Sequence, residues 1–415
     1  MKIIPKKIFA LTVASFSTLT LFANSDWPQF RGPTGQGHSD AKGVPLHWSE
    51  TENVKWKRPI PGQGWSSPVI LGNQIWMTTA LENGKSLRAV CVDRETGKIL
   101  QNAEVFSIEA PEFKHELNSY ASPTPVIEAE RVFVHFGTYG TACLSTETGK
   151  ILWRNQEMKL EHENGPGSSP ALLHDQLIIP CDGMDARYLI ALSKLTGKPI
   201  WKTDRSGEIN KPPSFRKAYS TPLVIQVNGR EQIVTSAADY VFGYEPETGK
   251  EIWRVHYEGY SNVPRPVYGE GLLFICTGFD KPQLWAIRPN GAGDVTQTHV
   301  AWKYLKQVPQ KPSPILFGEK IYFISDGGIA TCLDAKSGKE IWQERLGGEH
   351  SASPVCVDGK IYFFSHEGTT VVLEPGETYK PIATNQLGTG FMASAAISGK
   401  AFYLRSKTDL YRIEK

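Results

Sequence analysis

The sequence predicts an all-β fold: an eight-bladed β-propeller of four-stranded antiparallel blades, its ring closed by the N-terminal strand pairing into the last blade. Three observations predict it. A Gly-Lys turn returns five times, as RETGKILQN at Arg94, TETGKILWR at Thr146, KLTGKPIWK at Lys194, PETGKEIWR at Pro246 and AKSGKEIWQ at Ala335. A Ser-x-Pro start, or a variant of it, returns eight times, at Ser66, Ser122, Ser168, Ser220, Pro264, Pro312, Ser351 and Met392. Glycine (38) and proline (28) are plentiful while helical periodicity is hard to find, which points to short strands and many turns.

The elements of one unit follow in order. After the proline start comes a tight turn such as Gly72-Asn73, Asn228-Gly229, Asp358-Gly359 or Ser398-Gly399, where glycine tolerates the positive φ of a hairpin. A second strand follows, as in QIWMTT, RVFVHF, KIYFIS, KIYFFS and AFYLRS, with the alternation of a half-buried strand. A third strand leads into the Gly-Lys turn, and a fourth leaves it carrying tryptophan. The eighth unit has only three strands. ENVKWKRPI, from Glu52 to Ile60, matches the missing fourth and places Trp56 in the Trp253 position, so the propeller is expected over 52–415.

Trp56, Trp153, Trp201, Trp253, Trp302 and Trp342 share the fourth-strand position, and Gln101 departs from it. Six repeated indoles argue for blade docking and against six ligand sites. Burying a tryptophan removes about 150–250 Å² from water, or roughly 4–6 kcal/mol as an upper bound. Cys91, Cys143 and Cys332 share a third-strand position with Ala191, Gly243 and Ala286, which marks a small buried slot filled by a free thiol. No Cys-x-x-Cys is present.

Residues 1–25 read as a signal peptide: Lys2, Lys6 and Lys7, then an apolar run from Ile8 to Ala23, with cleavage after Ala23 or Ser25. Loss of those three lysines takes the formal charge from +2 to −1, without basic blocks, which argues against nucleic acid as a partner. The expected product is an exported, periplasmic or extracellular monomer with no transmembrane segment. Residues 26–51 form an N-terminal lead-in, and its glycine-rich Gly32–Gly37 reads as flexible because no helix follows to present a phosphate site.

The unit "SSP, hairpin, strand, LxA(L/I), TGK, W" resembles the pyrroloquinoline quinone (PQQ) repeat of the quinoprotein alcohol dehydrogenase-like and BamB-like β-propellers. The resemblance covers roughly Asn53 to Lys415. The opening WPQFRGPTGQG, from Trp27 to Gly37, resembles the leader of exported PQQ-like propellers of unassigned function. The resemblance implies one of two activities. One is a non-catalytic binding or scaffold protein for a protein, envelope component or glycan; the other is a PQQ-dependent dehydrogenase that oxidises alcohols or sugars, with Ca²⁺ and an external electron acceptor. The adjacent cysteine pair, haem motif and long ligand-bearing loops of the dehydrogenases are missing, and so is a lipid-anchoring cysteine, so the scaffold reading is preferred.

In a propeller, loops between blades and between second and third strands emerge on one face, opposite the Gly-Lys turns. On that mouth face lie Trp65; then His115, Asn118 and Tyr120; then His162 and Glu163. Arg216 and Tyr219 follow, then Arg265, Lys311 and His350. These are the candidate ligand-binding residues, since bases and aromatics round one funnel suit an anionic, planar or sugar-like ligand. No catalytic residue is assigned, as nucleophile motifs are missing. No metal site is assigned either, since the histidines lack compact spacing and Asp182 and Asp185 read as a turn.

Overall fold

The computed structural model describes residues 26–415; the leader expected at 1–25 lies outside them. Eight antiparallel sheets follow one another round a ring. Blade 1 comprises Val69–Leu71, Gln74–Leu81, Ser86–Asp93 and Ile99–Ser107. Blades 2 to 7 occupy 126–155, 171–204, 223–256, 267–304, 315–345 and 355–386. In blade 8, Val54–Pro59 pairs antiparallel with Asp409–Ile413, as the strand count requires. Two short parallel strands are added: His38–Ser39 beside blade 7, and Gly293–Asp294 on the outer edge of blade 4.

The repeated Gly-Lys-x-x-Trp stretch makes a β-bulge. Every blade shifts register at the start of its fourth strand, skipping one residue. A bulge re-aims the side chains beside it. Here the skipped residue turns outward, which accounts for exposed Leu100, Leu152 and Ile200. The residue after it faces the small third-strand slot: Trp153 pairs with Cys143, Trp201 with Ala191, Trp253 with Gly243, Trp302 with Ala286 and Trp342 with Cys332.

Five of the six docking indoles then reach the next blade's turn, while Trp253 Nε1 donates to Gln232 Oε1 of its own blade. Trp153 Nε1 donates to Lys194 O at 3.0 Å, and a Cβ on Gly197 would stand 2.5 Å from the Trp153 ring. Trp56, Trp201, Trp302 and Trp342 make the same donation to Arg94, Pro246, Ala335 and Gly376. The turn glycine therefore serves twice, supplying positive φ and clearing a seat for the neighbour's indole. All six cysteines are free and buried, and burial pushes the Cys91, Cys143, Cys181, Cys332 and Cys356 thiols up to about 12. They are structural filler, and Cys91, Cys143 and Cys332 fill the small third-strand slot.

At the channel the Ser-x-Pro starts join the blades. Ser67 N donates to Thr124 Oγ1 at 2.9 Å, Thr124 N to Ser169 Oγ at 2.9 Å and Ser169 N to Thr221 Oγ1 at 3.1 Å. Arg265 N donates to Ser313 Oγ, Ser313 N to Ser353 Oγ, Ser353 N to Ser394 Oγ and Ser394 N back to Ser67 Oγ. The chain of bonds runs in one sense round the ring and skips only the junction of blades 4 and 5. There the Arg265 guanidinium donates to Pro222 O instead.

The lead-in is packed, where flexibility was expected. It crosses the channel and pairs with inner strands: Trp27 with Ile70, Pro28 O with Ile127 N, and Gly37 O with Cys356 N. Arg31 is buried and donates to Pro314 O at 2.7 Å, and Arg265 donates to Phe30 O and Gln29 Oε1. The physical reason is that inner strands leave an unpaired edge toward the channel, and the lead-in satisfies part of it.

Candidate functional site

The mouth face opens into a funnel of about 680 Å³ above this plug. Phe30 of the lead-in closes its base, beside the hydroxyls of the Ser-x-Pro ring. Of the candidate residues, Trp65, His115, Asn118, Glu163, Tyr219 and Lys311 line it together. Each sits on a loop that the rigid first strands fix in place. Asn118 Nδ2 ties two loops by donating to Asn164 O and Pro166 O. Tyr219 Oη donates to His162 O at 2.6 Å, and burial pushes its phenol up.

The other candidates do not line the funnel. Tyr120 packs against Tyr139 and donates to Glu112 O. His162 is buried behind the wall, its Nε2 accepting the Thr138 N–H at 3.0 Å, and burial holds it neutral down to about 4. His350 is buried between Phe364 O and Gly347 O. Arg216 Nε donates to Lys211 O. Arg265 is the tie to the lead-in, below the funnel. Motif position gives only the loop a residue sits on; the reach and direction of its side chain depend on tertiary packing.

Charges inside the funnel are matched. Lys217, which lines it, pairs with Glu163, and Lys311 pairs with Asp326 at 3.1 Å. Asp182, in the loop read as a turn, forms a fully buried pair with Arg205 at 2.7 Å, and Asp185 accepts the Glu161 N–H. Among the described residues, no three of His, Cys, Asp or Glu stand close enough to share a metal ion.

Sequence reasoning missed the apolar part of the wall. Phe215 and Tyr260 pack with ring centroids 4.6 Å apart, and Tyr260 and Phe279 at 5.9 Å. Phe113 (73% exposed), Phe279 (51%), Leu117 and Val263 stand at the rim. Large apolar residues left in water on mouth loops were the available signal. The indole N–H of Trp65 is buried without a partner among the described residues. Glu163 and Ser261, both lining residues, hold left-handed backbone (φ 60° and 53°), the kind of strain that collects at binding sites.

A closed eight-bladed ring with a plugged channel and a deep mouth places the chain among the eight-bladed β-propellers. Comparison with known proteins agrees: the family described as outer membrane protein assembly factor BamB matches residues 56–224 and 185–415, and this chain belongs to it. BamB of Yersinia pestis is 25% identical over 195 residues, which is 44% of this chain and 48% of that one. The match thus spans about half the length of the curated relative. Among solved structures, BamB from Moraxella catarrhalis superposes with a TM-score of 0.61 at 10% identity, covering 86% of this chain and 99% of that one. A europium-containing methanol dehydrogenase gives 0.67 at 11% identity, covering 92% and 89%. At such identities the structural likeness speaks for the fold alone. No helix among the described residues is long and apolar enough to cross a membrane.

Proposed function

We propose that this is an exported, non-catalytic binding protein that uses the funnel face to hold a protein, envelope component or glycan. The observation that carries the reading is the funnel itself. Its rim exposes Phe113, Leu117, Val263 and Phe279, while the cations inside it are already paired with carboxylates. Exposed apolar rims mark association surfaces. Pyrroloquinoline quinone is a planar polycarboxylate that calls for unpaired cations and a Ca²⁺ site, and this donor set does not fit it. Arg216 and Arg265, the other bases near the mouth, donate to backbone carbonyls. The leader at 1–25 and a family described by an outer-membrane assembly factor support a location outside the cytoplasm.

The test is a titration of the purified protein with PQQ and Ca²⁺, following absorbance and melting temperature. The expected outcome is no spectral change and no stabilisation at high micromolar quinone, since a ligand that binds only the native state must raise Tm. Tight binding with dye-linked oxidation of alcohols or sugars would overturn the reading. Conversely, Phe113→Asp with Phe279→Asp is expected to abolish retention of an envelope partner on immobilised protein.

A further inference from the structure

The hydroxyl ring has bonding capacity left over. A serine or threonine hydroxyl carries one donor and two acceptor lone pairs. In the ring each oxygen accepts one backbone N–H from the preceding blade, which uses one lone pair. For Ser67, Thr124, Ser169, Thr221, Ser353 and Ser394 no acceptor of the O–H stands among the described residues. All six line the funnel base. The base is therefore a crown of hydroxyls set on rigid inner strands, each able to donate once and accept once more.

What surrounds the crown narrows the ligand. Phe30, Trp65, Tyr219 and Tyr260 supply aromatic faces and edges, and the Trp65 N–H is a further buried donor without a partner. The lining ammonium groups are neutralised by Glu163 and Asp326. An anion would find donors but no free cation, and would leave the acceptor capacity of the crown unmatched. A purely apolar ligand would desolvate six hydroxyls with nothing in return. A sugar hydroxyl is itself both donor and acceptor, and a pyranose has an apolar C–H face that packs on aromatic rings.

We propose that the funnel base binds a neutral saccharide, one to about three rings in size, with its hydroxyls on the crown and its C–H faces on the aromatic wall. The volume of about 680 Å³ lies within the usual range of small-ligand sites, roughly 300–1,000 Å³. The proposal rests on the reading of the funnel as the binding face and names the ligand of its deepest part.

The experiment is calorimetric titration of protein purified after expression of the full chain. The probes are glucose, galactose, mannose, N-acetylglucosamine and the β-linked di- and trisaccharides of glucose and N-acetylglucosamine, with glucuronic acid and glycerol as controls. Saturable binding of at least one neutral sugar is expected, with glucuronic acid at least tenfold weaker. Trp65→Ala and Ser353→Ala should each weaken it about tenfold or more, while Thr221→Ser, which keeps the hydroxyl, should leave it within about twofold. Near-ultraviolet dichroism confirms folding of each variant, and crystals soaked in the bound sugar must place it on the crown. No neutral sugar binding at 100 mM, a preference for glucuronic acid, or affinity unmoved in Trp65→Ala and Ser353→Ala overturns the proposal. If partner retention is lost in the rim variants while no sugar binds, the funnel reading stands and only this inference falls; if neither is seen, both fall.

Discussion

At the scale of single residues, the turn glycines separate two physical causes that sequence alone merges. Gly197 has φ +70° and Gly229 has φ +77°, so alanine at either position carries the left-handed penalty of about 1–2 kcal/mol. Their surroundings differ. A Cβ at Gly197 meets the Trp153 ring at 2.5 Å, whereas one at Gly229 meets nothing within 4 Å. Gly197→Ala is therefore expected to cost about 1–3 kcal/mol more than Gly229→Ala in urea denaturation. Equal costs would mean that indole docking contributes nothing. The turn and its tryptophan were legible in the sequence because the turn returns five times and the tryptophan six. The role of Phe30 was not, since a single phenylalanine in a glycine-rich lead-in carries no periodic signal. The same holds for Phe113, Phe215 and Phe279, which lie on loops that do not repeat. Arg265 was expected at the mouth, but an arginine in a Ser position has no length or direction until the lead-in is placed beneath it.

Among elements, the lead-in is the one whose sequence reading changed most. It is held by strand-like pairing to blades 1 and 7 and by two buried arginines, one of its own and one from blade 5. Burial lowers both Arg31 and Arg265 to about 9, and the nearby Arg265 charge adds to the depression of Arg31, so the plug concentrates positive charge against carbonyl oxygens. Arg265→Met removes the donors to Phe30 O, Gln29 Oε1 and Pro222 O at once. The expected result is faster amide exchange confined to residues 27–39 and to the strands they pair with, with the eight blades retained. Unchanged protection of that segment would show that the guanidinium is not its anchor.

For the whole molecule, acid should loosen the ring through histidines that burial keeps neutral. His135 is held down to about 3 and His162 to about 4, against a usual 6.5, with burial the leading cause in both. The unfolded chain takes up protons below about pH 6.5 that the folded chain refuses. Stability is thus full above that value and falls as pH drops toward 4 and then 3, by about 1.4 kcal/mol per pH unit for each histidine. Urea midpoints measured from pH 7.5 to 4.5 should fall steadily, and His162→Gln should flatten the decline because the amide oxygen can still accept the Thr138 N–H. A midpoint that stays level over that range would refute the assignment.

Closure of the ring by its two ends also sets a clock. Val54–Pro59 finds its partner only in Asp409–Ile413, and Glu414 N donates to Asn53 O at 2.8 Å. A chain grows from one end at roughly 5–20 residues per second, so the first strand waits on the order of 20–70 s for the last. Through that interval the outer strand of blade 8 has no partner, Arg31 awaits Pro314 and Gly37 awaits Cys356. The nascent chain is held short of its finished state for as long as it takes to be synthesised.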